Sequence, residues 1–389
     1  MKYDFDSLID RKNTNSVKWN VGENELPMWI ADMDFKTAPA VEEAIVKRAA
    51  HGIYGYADLP DSWYDAYIGW WKNRHGLTIE KNQLIFCTGV VPAISSAVRK
   101  LTTPAEKVVV ISPVYNIFFN SILNNGRVPL ESGLVFDGEN YNIDFDDLES
   151  KLSDPQTSML IFCNPHNPVG RIWTKDEIRK VGLLCKRYGV TVISDEIHCD
   201  LTDPDCDYVP FASASDICRD ISITCVAPTK TFNIAGLQTA AVFASNEFLR
   251  HKIWRALNTD EVAEPNVFAV DAAVAAFTKS ADWLDELRVY LAENKKTVRD
   301  FIGREIPEIK VMPSQATYLL WLDCRKLGSS EYVADSIRKK TGLFLSAGGH
   351  YRGDGDFFLR MNIACPRRTV NDGLSRLKRA VCEMTKDNK

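Results

Sequence analysis

Short apolar runs recur through the middle of the chain, and they are continuously apolar rather than alternating. Five of them span 107–113, 158–165, 190–196, 221–228 and 239–245. Such runs are typical of strands buried on both faces. Stretches between several of them, for example 174–189, carry apolar residues at helical spacing. The pattern predicts an α/β fold with a mostly parallel central sheet between helices.

The pattern changes near residue 281. A long helical stretch at 281–303 leads into an apolar stretch at 311–324, a helix near 330–341, a second apolar stretch at 356–366 and a terminal helix. This order predicts a smaller α+β domain, and the apolar segment 26–35 is expected to pack beside it. We therefore predict a large domain at 46–280 and a small domain formed by 1–45 and 281–389.

Composition and charge narrow the range of partners. The 389 residues carry a formal net charge of −5, which argues against nucleic acid or an anionic membrane as the main partner. The polar start of the sequence does not resemble a secretory signal. No stretch approaches the ~18 uncharged apolar residues of a membrane helix. Ten cysteines scattered through apolar runs are expected to be buried thiols of a cytoplasmic protein.

No metal site is expected. Four cysteines and a histidine cluster loosely between 198 and 225, but none of the cysteines forms a C-x-x-C pair, so zinc ligation is not predicted. His51, His75 and His251 lie in charged, helical surroundings and are interpreted as surface residues. His166 is expected to shape its loop, and the aromatic residues of 61–76 are expected to pack in the core or at an interface.

Lys230 is the first candidate for chemistry. It stands in "VAPTKTFNIAG" without a charged neighbour, and a lysine beside a desolvated pocket can lose its proton and form a Schiff base with a carbonyl compound. Asp195 ends an apolar strand, where a carboxylate serves as a helix cap, a metal ligand or the partner of a protonated ring nitrogen. A lysine together with such an acid is what pyridoxal 5′-phosphate chemistry requires.

A phosphate would also need a binding site. The stretch 84–101 predicts a strand, a Thr-Gly turn and a helix beginning near Val90, and a helix N-terminus is a natural anion site. Thr88 could cap the helix, and Gly89 permits close approach. Neither G-x-x-x-x-G-K-[ST] nor G-x-G-x-x-G occurs, so a nucleotide is not supported.

Polar residues follow the carboxyl ends of the predicted strands. Tyr115, Asn167, Asp195 and Lys230 occupy such positions, and ligands of open α/β sheets bind there. Asn167 lies in "NPHNPVG", where two Asn-Pro pairs form either a rigid connection or a loop that aims its amide.

Three motifs in order, "NPHNPVG", "SDEIHCDL" and "PTKTFNIAGLQ", resemble the fold-type-I pyridoxal-phosphate enzymes of the class I/II aminotransferase superfamily. "LPMWIADMDF", "GIYGYAD", "SPVY" and "FFLRMNIACPR" are similar to the MalY/PatB branch of cystathionine β-lyases, or C–S lyases. The resemblance covers essentially the whole chain.

The resemblance implies a role for each matching residue. Lys230 is expected to be the Schiff-base lysine and proton shuttle, and Tyr115 a catalytic residue that stacks on the cofactor ring. Asp195 would face the pyridinium nitrogen, and Asn167 the ring oxygen and the substrate. The remaining expected contacts are Gly89, Val90, Thr229, His198 and Tyr56 to the cofactor, and Arg360 and Ala31 to the substrate. Tyr56 would act from the partner subunit of a homodimer with shared active sites.

Three positions depart from the aminotransferase pattern. Ala227 stands where many relatives have serine, and Gln238 stands where aminotransferases have arginine, so the phosphate is expected to lose one charged contact. His198 replaces the usual tyrosine, which weakens a transaminase interpretation.

The resemblance implies α,β-elimination of L-cystathionine or L-cysteine to pyruvate, ammonia and a thiol or sulfide. Two alternatives stay open: an aminotransferase of the same fold, which needs a 2-oxo acid, and a lyase that also binds a transcription factor. The preferred sulfur substrate, the pathway and any regulatory partner are not fixed by the sequence.

Overall fold

A computed structural model describes residues 2–387 of the chain. Its strands form one large sheet and two small ones. The strands are β1 (Leu26–Pro27), β2 (Leu84–Cys87), β3 (Lys107–Ser112), β4 (Val128–Phe136), β5 (Tyr141–Ile143), β6 (Thr157–Cys163), β7 (Thr191–Asp195), β8 (Ser222–Val226), β9 (Ala240–Phe243), β10 (Lys310–Val311), β11 (Leu319–Asp323), β12 (Leu343–Phe344), β13 (Ser346–Ala347) and β14 (Phe358–Asn362).

Twelve α-helices are present among the described residues. They are α1 (Pro39–Ala50), α2 (Asp61–His75), α3 (Val90–Leu101), α4 (Ile117–Leu123), α5 (Phe145–Leu152), α6 (Lys175–Arg187), α7 (Asp216–Ile221), α8 (Glu247–Thr259), α9 (Val267–Lys279), α10 (Ala281–Glu305), α11 (Ser330–Thr341) and α12 (Arg367–Asp387). No helix within 2–387 is both long and apolar enough to cross a membrane.

The large sheet has the order β2-β9-β8-β7-β6-β3-β4-β5. Its central pairs β4/β3, β3/β6, β6/β7 and β7/β8 are parallel, which confirms the mostly parallel α/β prediction. All five predicted runs are strands with mainly buried residues. The sequence missed the orientation of β9, which is antiparallel to both β2 and β8. The β8–β9 connection contains no α-helix, whereas a parallel crossover usually needs one.

Helices cover both faces of this sheet. Successive residues of β3 alternate between two hydrophobic clusters, with Val108 and Val110 in one and Val109 and Ile111 in the other. The first cluster includes side chains of α3, α4 and α8, and the second includes those of α5 and α6. Because side chains alternate along a strand, continuously apolar runs are what two covered faces require.

The C-terminal part forms the smaller α+β unit. Strands β10, β11, β14 and β13 make an antiparallel sheet, accompanied by α10, α11 and α12. The N-terminal segment joins it, since β1 pairs in parallel with β12 and the Asp34 amide donates to the Ala364 carbonyl at 2.8 Å. The division into 46–280 and 1–45 plus 281–389 stays a proposal, and its first boundary falls inside the continuous helix α1.

Several expectations about single residues need correction. Cys382 is exposed on α12, and Cys206, which lies between Asp205 and Asp207, is half-buried, while the other eight cysteines are buried free thiols. His75 is not a surface residue: its side chain is 7% exposed and bonds Asp200. Gly89, not Thr88, is the N-cap of α3, and no side chain caps it. His166 is buried in its loop as expected, and Trp63, Tyr67, Trp70 and Trp71 of α2 are core residues.

Candidate active site

Four parallel strands bring the predicted residues to one edge of the large sheet. Tyr115 follows β3, Asn167 follows β6, Asp195 ends β7 and Lys230 follows β8. Since parallel neighbours end on the same side, these residues converge there. The β8–β9 connection that carries Lys230 is irregular except for a short 3-10 turn at Ala235–Leu237.

Lys230 lies against the N-terminal segment. Its Nζ donates to the Ala31 carbonyl at 2.6 Å, and the Tyr318 hydroxyl donates to the same oxygen at 3.0 Å. Burial lowers the pKa of Lys230 to about 8, although the charges of Asp32 and Asp195 act in the opposite direction. A larger share of this amine is therefore neutral near pH 8 than for a solvated lysine.

Asn233 ties the lysine loop to the same segment. Its Oδ1 accepts from the Met33 amide at 2.9 Å, and its Nδ2 donates to the carbonyls of Met33 and Phe35 at 3.0 and 2.9 Å. These hydrogen bonds hold residues 31–35 in position next to Lys230. The sequence analysis did not single out Asn233, because its partners are about 200 residues away.

Asp195 is a buried acid that forms no ion pair with any residue in the described range 2–387. It is 5% exposed, and its Oδ1 accepts the Ile197 amide at 3.1 Å. Burial raises the pKa of Asp195 to about 7, while the Ile197 hydrogen bond and the Lys230 charge lower it. A protonated ring nitrogen placed against this carboxylate would stabilise its ionised form.

Arg360 on β14 and Tyr115 both line a cleft of about 520 Å³. Arg360 is 5% exposed. Its guanidinium donates from Nη1 to Asn167 Oδ1 at 3.2 Å and from Nη2 to the Trp29 carbonyl at 3.0 Å. Its Nε is buried and has no hydrogen-bond partner among residues 2–387. The structure thus brings the predicted carboxylate-binding arginine next to Asn167.

The Asn-Pro loop is held from both sides. The Asn167 carbonyl accepts the Tyr115 amide at 3.1 Å, and His166 Nε2 donates to the Pro113 carbonyl at 2.9 Å. Burial lowers the pKa of His166 to about 4, so its ring is neutral at physiological pH. These contacts join the loop after β6 to the loop after β3 and fix the position of Asn167.

His198 is a buried, neutral histidine beside the two cationic side chains. It is 3% exposed, and its Nδ1 has no partner in the described part of the chain. Burial lowers the pKa of His198 to about 3, and the charges of Lys230 and Arg360 lower it further. A neutral imidazole can either donate or accept one hydrogen bond at this position.

The start of α3 provides a candidate anion site. Gly89 is the N-cap without a side-chain cap, and the first turn beginning at Val90 carries no acidic residue. A Cβ on Gly89 would lie 3.1 Å from Pro92 Cδ, so a side chain at position 89 would be crowded against Pro92. Thr229 is buried, and its carbonyl accepts the Ile234 amide at 3.0 Å. Its side chain makes no hydrogen bond within residues 2–387.

Tyr56 is not brought to this site by its own chain. It lies in the irregular segment between α1 and α2 and is fully exposed.

Sequence reasoning missed a buried network behind the lysine loop. The Thr231 hydroxyl donates to Asp200 Oδ2 at 3.0 Å, while Trp70 Nε1 and His75 Nε2 contact Oδ1 at 2.9 and 2.8 Å. Asp200 is the second-last residue of the "SDEIHCDL" motif and Thr231 follows Lys230, so their positions in the motifs were the available signal. A cleft of about 640 Å³ borders this network, and neither Lys230 nor Arg360 lines it.

The residues present fit pyridoxal 5′-phosphate by their chemistry. A depressed lysine pKa suits capture of an aldehyde, and the buried Asp195 suits a protonated pyridine. The uncapped helix start suits a phosphate. The unpartnered Arg360 Nε and His198 Nδ1 are buried polar atoms that a bound ligand could satisfy.

Comparisons with known proteins agree with this chemistry. Residues 16–377 match the family described as aminotransferase class I and II. The chain is 43% identical to cystathionine β-lyase PatB of Bacillus subtilis over 384 residues, 97% of this chain and 99% of PatB. Cystalysin from Treponema denticola, a structure that contains pyridoxal 5′-phosphate, aligns with a TM-score of 0.95 and 33% identity over all of both chains.

A second solved structure is a pyridoxal-phosphate-bound protein from Clostridium difficile 630. It aligns with a TM-score of 0.95 and 37% identity, covering 97% of this chain and 100% of that one. The chain belongs to the class I and II aminotransferase family, with the fold of its fold-type-I pyridoxal-phosphate enzymes.

Proposed function

We propose that this protein is a pyridoxal 5′-phosphate-dependent carbon–sulfur β-lyase that acts on L-cystathionine, L-cysteine or both. Similarity to cystathionine β-lyase PatB over nearly the whole chain supports the reaction class. The observation that carries the proposal is the convergence of three groups at one edge of the sheet: Lys230 with a pKa of about 8, Asp195 with a pKa of about 7, and the buried Arg360.

The cofactor would be held by residues from four loops. Asp195 would face its ring nitrogen, Asn167 its ring oxygen, and Tyr115 its ring face. The uncapped start of α3 at Gly89 and Val90, with Thr229, would bind its phosphate. When bound, the cofactor supplies an electron sink for the pair released at the substrate Cα.

Arg360 would bind the substrate carboxylate. A guanidinium offers a planar fork that suits two carboxylate oxygens, and the Nε without a protein partner is one available donor. The Ala31 carbonyl accepts a hydrogen bond from Lys230 Nζ. The substrate amine would displace Lys230 from the cofactor next to this carbonyl. This arrangement would orient the Cα–H bond toward Lys230.

Lys230 Nζ would take the Cα proton and then hold it near the departing sulfur. The Cα–H and Cβ–S bonds break, a Cα–Cβ double bond forms, and the sulfur leaves as a thiol after it receives a proton. With L-cystathionine and one water, the products are pyruvate, ammonia and homocysteine, so no 2-oxo acid is consumed.

Pyruvate release by the cofactor-loaded enzyme tests this function. We expect sustained release from L-cystathionine or L-cysteine over many turnovers without any 2-oxo acid. Activity that appears only when a 2-oxo acid is supplied would instead identify an aminotransferase of the same fold. Lys230→Ala should lose the release while it keeps a folded chain, as judged by its circular dichroism.

We further propose a homodimer with shared sites and a cytoplasmic setting. Tyr56 is fully exposed with Ile53 and Tyr54 beside it, a small apolar surface that a second copy would cover. Ten free thiols suit a reducing compartment.

A further inference from the structure

The three residues that follow Lys230 are each anchored to a different part of the protein. The Thr231 hydroxyl donates to Asp200 Oδ2 at 3.0 Å. The Phe232 side chain is fully buried in the hydrophobic core. Asn233 bonds the N-terminal segment through both atoms of its amide. The backbone that carries the lysine is therefore held on its C-terminal side by three separate contacts.

Lys230 itself lies inside a tight turn. The Phe232 amide donates to the Pro228 carbonyl at 2.9 Å, and the Ile234 amide donates to the Thr229 carbonyl at 3.0 Å. Each of these bonds joins a residue before the lysine to a residue after it. A displacement of the residues that follow Lys230 would therefore displace the lysine as well.

Asp200 is a rigid acceptor for this turn. Its side chain is 1% exposed, and its Oδ1 accepts from Trp70 Nε1 at 2.9 Å and from His75 Nε2 at 2.8 Å. The Thr231 hydroxyl is the only donor to Oδ2 within residues 2–387. Burial raises the pKa of Asp200, but the His75 hydrogen bond and the Arg74 charge outweigh it and hold this pKa below its usual value. The carboxylate is therefore ionised at neutral pH and acts only as an acceptor.

The influence of Asp200 on the lysine is one of position. Burial and the charges of Asp32, Arg360 and Asp195 set the pKa of Lys230, and the Asp200 charge is not among them. The carboxylate therefore acts on the lysine through the hydroxyl that it binds. Position matters here because a misplacement of reacting atoms by about 1 Å can cost about a hundredfold in rate.

We propose that Thr231, held by Asp200, is a positioning residue that places Lys230 Nζ for proton transfer at the substrate Cα. The inference rests on the proton transfer in the function proposed above and adds the residues that direct it. Neither Thr231 nor Asp200 lines the cleft that Arg360 and Tyr115 share. The bond between them therefore controls the rate of proton transfer and leaves substrate binding unchanged.

Thr231→Val is the test variant, because valine keeps the branched shape of threonine and lacks its hydroxyl. Thr224→Val is the matched control. Thr224 on β8 is 0% exposed, as is Thr231, but its hydroxyl has no hydrogen-bond partner within residues 2–387. Thr231→Ser keeps the hydroxyl and should restore the function. Thr231→Ala, compared with Thr231→Ser, makes the same test if the valine variant does not fold.

The measurement is the exchange of the Cα proton of L-alanine in deuterium oxide, catalysed by the cofactor-loaded enzyme and followed by proton NMR. Alanine has no leaving group, so exchange requires only that Lys230 Nζ takes the Cα proton, exchanges it with solvent and returns a deuteron. We expect the maximal exchange rate of Thr231→Val to fall about tenfold or more, with KM unchanged. Its cofactor content and the absorption band of the bound cofactor should match the wild type, and Thr231→Ser and Thr224→Val should exchange at nearly the wild-type rate.

A Thr231→Val enzyme with a lower melging temperature but wild-type exchange would show that the bond only stabilises the fold, and would overturn the proposal. An equal loss of exchange in Thr224→Val would overturn it as well. Pyruvate release from L-cystathionine, measured on the same samples, separates this result from the proposed function. A wild type that exchanges the alanine proton but releases no pyruvate would contradict the lyase function alone, and no exchange by the wild type would overturn both.

Discussion

At the scale of single residues, the site depends on groups whose charge is set by burial. Lys230 and His198 are both shifted toward their neutral forms, whereas Asp195 is shifted toward its protonated form. Each shift has burial as its first cause. A ligand that places a cation against Asp195 would favour the ionised form of this carboxyl group. An anion bound to Arg360 would offset the positive charge that lowers the pKa values of Lys230 and His198.

The amine of Lys230 should control the rate at which the apoprotein captures pyridoxal 5′-phosphate. Only a neutral amine attacks an aldehyde, and the Lys230 pKa of about 8 means that this form increases as pH rises and predominates above pH about 8. We expect the capture rate, followed by absorbance after mixing, to rise between pH 6 and 8 and then level off. A rate that keeps rising toward pH 10 would indicate an ordinary lysine. Lys230→Ala provides the baseline.

Arg360 should determine substrate affinity rather than cofactor affinity. Arg360→Lys keeps the positive charge but loses the planar fork and the contact with Asn167. We expect KM for the amino-acid substrate to rise about tenfold or more, the cost of a charge-assisted hydrogen bond, while the cofactor content stays that of the wild type. Arg352→Lys, on an exposed pair with Glu131, is the matched control. An unchanged KM would remove Arg360 from the substrate site.

At the scale of elements, the loops after parallel strands position the site. The continuously apolar runs predicted the buried strands, and the motifs predicted which residues follow them. The antiparallel direction of β9 could not be predicted, because an apolar run carries no signal of direction. The burial of His75 was also missed, because its partner Asp200 is 125 residues away and a helical pattern shows only local neighbours.

Gly170 should be required for the shape of the Asn-Pro loop. Its φ is +71°, and a Cβ there would lie 2.4 Å from Ser314 Oγ and 3.0 Å from the Ala316 carbonyl. We expect Gly170→Ala to destabilise the protein by about 1–3 kcal/mol, seen as a lower melting temperature. Gly303→Ala in α10 is the control, since nothing lies within 4 Å of its added Cβ and alanine favours a helix. Equal melting temperatures for the two variants would contradict the strain argument.

At the scale of the whole molecule, the N-terminal segment joins the two parts of the chain. The Met28 backbone bonds Phe344 of β12 and Asn362 of β14, the Asp34 amide bonds Ala364 just after β14, and the Ala31 carbonyl accepts from Lys230. The sequence analysis singled out the segment "LPMWIADMDF" through its resemblance to a known family. Only the fold shows that this segment lies against Lys230.

A shared site predicts complementation between two inactive variants. If Tyr56 acts across a dimer interface, a heterodimer of Lys230→Ala and Tyr56→Ala chains has one intact site, because the intact lysine and the intact tyrosine come from different chains. Mixed and refolded variants should therefore regain up to about one quarter of wild-type activity, as random pairing gives half heterodimers. Activity no greater than the average of the separate variants would exclude a shared site.

The products formed by the holoenzyme from L-cystathionine without a 2-oxo acid test the central claim most directly. We predict pyruvate, ammonia and homocysteine in equal molar amounts, far in excess of the enzyme, and none of them with Lys230→Ala. Product formation that stops after one equivalent per site and resumes only with an added 2-oxo acid would contradict β-elimination.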